Sequence, residues 1–141
     1  MGFKKVITII ALGLVFVSQS YADKKYSLQQ QLNKVMMQTV SDLNADLPMM
    51  VDKITRLNNT IYVSNELHYN YTITDGSLDY MSDSNKELFK LHMMKQGLGG
   101  YCHNPDVSFF RDYGISWVYN YTDSKDKWVL AVKMSPQDCT N

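Results

Sequence analysis

The 141 residues carry 14 basic and 14 acidic side chains, 45% hydrophobic residues, ten tyrosines and nine methionines. Such a length suits one compact domain able to bury about two-thirds of its unfolded surface. The charges are balanced and scattered, which leaves no basic stripe for nucleic acid or an anionic membrane and no acidic spacing of the calcium-loop kind.

Residues 1–22 read as a secretory signal peptide. Lys4 and Lys5 supply the positive start, Val6 to Val17 the apolar stretch, and Ser20-Tyr21-Ala22 the small residues of a cleavage site. The apolar stretch is shorter than the roughly 20 residues a membrane-spanning helix needs, so no stable membrane insertion is expected after cleavage. The expected product is one domain over residues 23–141, periplasmic or secreted. The short, lysine-headed leader fits a bacterial exporter. Cys102 and Cys139 both fall in that product, and an even cysteine count in an exported chain predicts a disulfide between them.

Ser27 and Gln30 have the spacing of a capping box. Leu28, Leu32, Val35, Met36, Thr39 and Leu43 then recur at helical spacing and predict a first helix, closed by Asp46-Leu47-Pro48. A further helical turn is expected from Pro48 through "MMVDKI". Two strands follow, "NTIYVS" (59–64) and "LHYNYTIT" (67–74), turning at Ser64-Asn65-Glu66. In the second, Leu67, Tyr69, Tyr71 and Ile73 share one face. Ser84 and Glu87 predict the start of a second helix, which Gly97, Gly99 and Gly100 should stop. Asn104-Pro105 opens a third, ending at Gly114. The last pair of strands has Trp117, Tyr119 and Tyr121 alternating with polar residues, then Trp128, Leu130, Val132 and Met134 after the turn "DSKD". The order α-ββ-αα-ββ predicts an α+β fold: an antiparallel four-stranded sheet in two hairpins, packed by helices on one face and held by one disulfide.

The stretch Tyr-Asn-Tyr-Thr occurs twice, at 69–72 and 119–122. It sits on the second strand of one predicted hairpin and the first strand of the other, so similar packing demands explain it better than duplication. His68, His92 and His103 share no metal-ligand spacing, and no nucleophile elbow or phosphate loop is present. No metal, cofactor or catalytic residue is therefore assigned. Methionine adapts to irregular surfaces, and the doublet Met49-Met50 beside Pro48 is the candidate partner-binding turn.

The segments "LPMMVDKITRL", "ELHYNYTI", "GYCHNPDVSFFRDYGISWVYNYTD" and "VLAVKMSPQDC" resemble a group of small exported proteobacterial proteins, over roughly Leu43 to Cys139. A looser architectural resemblance is to the α/β-type pilotins of type II secretion, small disulfide-bonded periplasmic domains that escort secretin subunits. The chain departs from these in having no cysteine near Ala22 for lipid attachment. The expected function is a small exported protein-binding module (adaptor, chaperone-like or inhibitor) without catalytic activity, whose partner is another envelope or secreted protein. The alternative is a small periplasmic hydrolase whose site is assembled from distant residues.

Overall fold

The computed structural model describes residues 3–139, with side chains from Asp23 onward. The side chains of residues 1–22, the expected signal peptide, lie outside the described residues. Two compact units make up the chain, Met1–Thr39 and Val40–Asn141. The first belongs to helix α1 (Phe3–Asn44). Ser27 lies inside this helix and does not start it. Of the expected apolar stripe, Leu32 and Met36 are buried, while Leu28, Val35 and Leu43 are exposed. Among the described residues no helix is long and apolar enough to cross a membrane.

The second unit contains β1 (Met49–Met50), β2 (Thr55–Val63), β3 (Glu66–Ile73), α2 (Asp83–His103), a 3-10 turn (Pro105–Val107), α3 (Ser108–Asp112), β4 (Ser116–Thr122), β5 (Trp128–Met134) and a closing 3-10 turn (Pro136–Cys139). The fold is α+β with one disulfide, as expected, but the sheet differs from the expected one. It has five strands in the order β1-β2-β3-β4-β5, and β3 pairs with β4 in parallel. The reason is topological. Two hairpins joined by a helical crossover lie side by side with the joining strands running the same way.

The turn Pro48-Met49-Met50 also corrects an expectation. It is no helical turn but an edge strand, pairing Met49 with Leu57 and Met50 with Arg56. The carboxylate of Asp52 then accepts from the backbone N–H groups of Ile54 and Thr55 at 2.8 and 2.7 Å, which turns the chain into β2. Further along β2, Asn44 holds the outer edge with its side chain alone. Its Oδ1 accepts from Thr60 N–H at 2.7 Å and its Nδ2 donates to Thr60 C=O at 2.9 Å, as a neighbouring strand would. Ser64 and Asn65 both have positive φ, the geometry of a two-residue hairpin turn.

Helix α2 is capped by Ser82, two residues before the expected Ser84, and it runs through all three glycines to His103. Gly97 is needed for packing: a Cβ there would stand 2.5 Å from Met134 Sδ, in the buried core. Beside Gly99 and Gly100 nothing lies within 4 Å. The helix ends where Asn104 accepts from Asp106 N–H and Pro105 begins the 3-10 turn. Arg111 of α3 closes this corner by donating to the carbonyls of Tyr101 and Asn104. Cys102 in the last turn of α2 is bonded to Cys139, 37 positions on.

The two Tyr-Asn-Tyr-Thr copies lie side by side in parallel register: Tyr69 with Tyr119, Asn70 with Asn120, Tyr71 with Tyr121, Thr72 with Thr122. Each residue type therefore meets its own kind. The tyrosines face α2 and form a tight aromatic row, with centroids 5.4 Å apart for Tyr69–Tyr119 and 5.5 Å for Tyr71–Tyr121. On the opposite face Asn120 bonds Asn70, and the Thr72 and Thr122 hydroxyls lie 2.9 Å apart. Thr72 is nevertheless buried, because Arg56, Asn58 and Asp126 close over it.

Candidate functional site

Helix α2 covers the β4–β5 half of the tyrosine face. Phe89, Met93 and Met94 pack there on the core formed by Ile73, Leu78, Tyr121, Val129, Leu130 and Val132. The chain from Val51 to Thr55 flanks the other half. Between them lies a cleft of about 410 Å³. Its floor is Tyr71, Tyr119, Tyr121 and Ile73; one wall is Phe89, His92, Met93 and Gln96 of α2; the other is Val51, Asp52, Ile54 and Thr55. This volume is within the range of small-ligand or side-chain pockets.

The floor is aromatic and carries polar tips. Burial pushes the phenols of Tyr69, Tyr71, Tyr119 and Tyr121 above their ordinary range, and the neighbouring rings add to this for Tyr69, Tyr71 and Tyr121. All four are neutral at physiological pH, and the hydroxyls of Tyr71, Tyr119 and Tyr121 make no hydrogen bond among the described residues. They can therefore donate to or accept from a bound group. Above pH of about 10 the unfolded chain releases protons that these folded phenols retain. Stability is accordingly expected to fall as pH climbs through that range. Absorbance at the phenolate band should show the four ionising only as the fold is lost; their ionisation at an ordinary pH with the fold intact would contradict the burial of the row.

The sequence-derived candidates fall close to this cleft without lining it. Pro48, Met49 and Met50 are exposed, and the cleft wall begins at the next residue, Val51. His92 lines the cleft, His68 lies on the opposite face of the sheet, and His103 is exposed at the end of α2. No group of three His, Cys, Asp or Glu side chains is placed to hold a metal among the described residues. Asp52, Ser77 and His92 share the cleft lining. They are not joined, however: Asp52 is engaged by Ile54 and Thr55, and Ser77 by Asp75. The cleft itself was not foreseen from the sequence, which marks neither Phe89 nor Met93 as part of a site. The alternating tyrosines were its one visible signal.

Fold and site together describe a disulfide-bonded α+β domain whose mixed sheet carries an aromatic cleft beside its covering helix. No family model and no curated protein matches the sequence. Solved structures share the fold. A candidate secreted protein from Pseudomonas aeruginosa superposes with a TM-score of 0.62 at 14% identity, over 77% of this chain and 93% of that one. The type 2 secretion system pilotin EpsS from Vibrio vulnificus gives 0.61 at 14% identity, over 79% and 94%. The pilotin AspS from Vibrio cholerae gives 0.55 at 13% identity, over 79% and 94%.

Proposed function

We propose that this chain is a non-catalytic, exported protein-binding module that takes an apolar segment of another envelope or secreted protein into the tyrosine-floored cleft. In this reading residues 1–22 are a signal peptide, residues 23–141 are the working domain, and the site of action is the periplasm or beyond. The observation that carries it is the cleft: aromatic and thioether side chains on the floor and one wall and, among the described residues, unbonded phenol tips and no connected acid, base and nucleophile. The exposed row Pro48, Met49 and Met50 extends the apolar surface past the cleft wall. Likeness of fold to two pilotins supports an adaptor or escort role over an inhibitor.

The test is capture of a partner from the native envelope by the wild-type protein and by two charge variants. Ile54 is 39% exposed on the cleft wall, so Ile54→Asp should abolish capture while leaving thermal unfolding unchanged. Met49→Asp/Met50→Asp should weaken it. A partner held equally by all three proteins would rule out the cleft. Turnover of small ester or amide substrates that Tyr119→Phe leaves intact and His92→Ala removes would instead establish the hydrolase alternative.

A further inference from the structure

The sheet face turned away from α2 carries a polar row that crosses three strands. Asn120 Nδ2 on β4 donates to Asn70 Oδ1 on β3 at 2.9 Å, and Asn70 Nδ2 donates to Asn59 Oδ1 on β2 at 2.6 Å. The same Asn120 Nδ2 lies 3.1 Å from His68 Nδ1. Its two hydrogens thus go to Asn70 and His68, so His68 Nδ1 is the bare, accepting nitrogen of the ring. The ring proton then sits on Nε2, which is 3.1 Å from Glu66 Oε2 but out of line for a hydrogen bond.

Glu66 is itself held by Lys133, whose Nζ donates to Oε1 at 2.6 Å and keeps the carboxyl below its ordinary range. An anion therefore faces the imidazole throughout the range in which imidazoles titrate. The neighbours of His68 across the sheet are Ile61 on β2 and Val118 on β4, so Glu66 on β3 and Lys133 on β5 are the charged groups facing it among the described residues.

A proton added at His68 Nδ1 meets the amide N–H of Asn120, donor against donor. Turning the Asn120 amide over relieves this, but its Oδ1 then confronts Asn70 Oδ1. Asn70 must turn as well, and Asn59 after it. The fully reversed row is satisfied again at every link, with Asn120 Oδ1 accepting from both His68 and Asn70. The half-reversed row is not satisfied, so the arrangement has two stable senses. We propose that His68 is a proton sensor whose protonation reverses the amide row Asn120–Asn70–Asn59. The exposed amide of Asn59 on β2 would then change what it shows to solvent or a partner, from an N–H donor to a C=O acceptor. The row lies on the face opposite the cleft, so it stands or falls independently of the function proposed there.

The test is a titration of the 15N-labelled protein from about pH 8 to about pH 5, the window of imidazole titration, following the imidazole nitrogens and the side-chain amides of the three asparagines. At the alkaline end His68 is expected as the Nε2–H tautomer. All three amides should shift with one midpoint, shared with His68. In Asn70→Ala, with its backbone spectrum otherwise preserved, Asn120 should still follow His68 and Asn59 should not. An Nδ1–H tautomer at the alkaline end would overturn the proposal, as would an Asn59 amide that stays still in the wild-type titration or keeps following His68 in Asn70→Ala. The two wild-type readouts decide the matter even if the variant fails to fold.

Discussion

Replacing Cys102 and Cys139 together by serine is expected to lower the free energy of unfolding by about 4 kcal/mol, the chain-entropy value for a loop of this size. The bond spans 37 positions and ties the last turn of α2 to the 3-10 turn after β5. In the unfolded chain it removes the freedom of everything from α3 through β5. A domain of about 100 residues shifts its midpoint by roughly 4–8 °C per kcal/mol, so the double variant should melt on the order of 20 °C lower. The local anchors of the closing turn remain in that variant, because Asp138 still accepts from Ser135 N–H and Oγ–H at 2.7 Å. The loss should therefore appear in global stability and hardly in the native contacts near Ser135. Scanning calorimetry with and without reductant checks this; coincident transitions would mean that the bond constrains little.

Tyr121→Ala should be nearly as costly. Tyr121 is 3% exposed, stacks on Tyr71 and takes Phe89 edge-on at 5.3 Å. Truncating a buried aromatic ring costs about 3–5 kcal/mol. Tyr121→Phe separates the ring from its hydroxyl: since that hydroxyl makes no hydrogen bond among the described residues, the change should stay within about 0.5 kcal/mol. Tyr101 provides the opposite case. It is fully buried and donates to Ile115 C=O at 2.7 Å, so Tyr101→Phe strands a buried carbonyl and should cost about 1–3 kcal/mol. Chemical denaturation of the three variants reads all of this. Wild-type stability in Tyr121→Ala would mean that the tyrosine row does not face a packed helix.

The alternating strands were the most legible part of the fold. Period-two patterning at Leu67–Ile73, Trp117–Tyr121 and Leu130–Met134 reports which side chains face inward, and those residues do line one face. The same pattern carries no direction. Nothing in it distinguishes a parallel β3–β4 pair from an antiparallel one, and only the helical crossover between them does. Thr55 to Asn58 also escaped detection as strand, because Arg56 and Asn58 are there for side-chain bonds across the sheet, to Thr72 and Asp126. Three glycines within four positions imitate a helix stop. Gly97 in fact belongs to the helix interior, and its lack of a side chain makes room for Met134.

The cleft was less legible still, for a physical reason. Its walls come from four separate stretches, 51–55, 71–77, 89–96 and 119–121, and each of them looks like ordinary packing by itself. Met49 and Met50 drew notice because doublets of exposed methionine are visible in one dimension. In the fold they lie next to Val51, where the cleft wall begins, without lining the cleft themselves. His92 gave no sequence signal, since a lone histidine on a helix has no partner at a fixed spacing.

The central claim is that a protein partner enters this cleft, and site-specific photo-crosslinking in the native host tests it most directly. A photoreactive side chain placed at Val51 or Gln96, on opposite walls, should link the protein to one and the same envelope or secreted partner. The same group at Trp128, which is 62% exposed and does not line the cleft, should not. Links from both walls that disappear with Ile54→Asp are the predicted result. No link from either wall, or a partner reached equally well from Trp128, would contradict the claim.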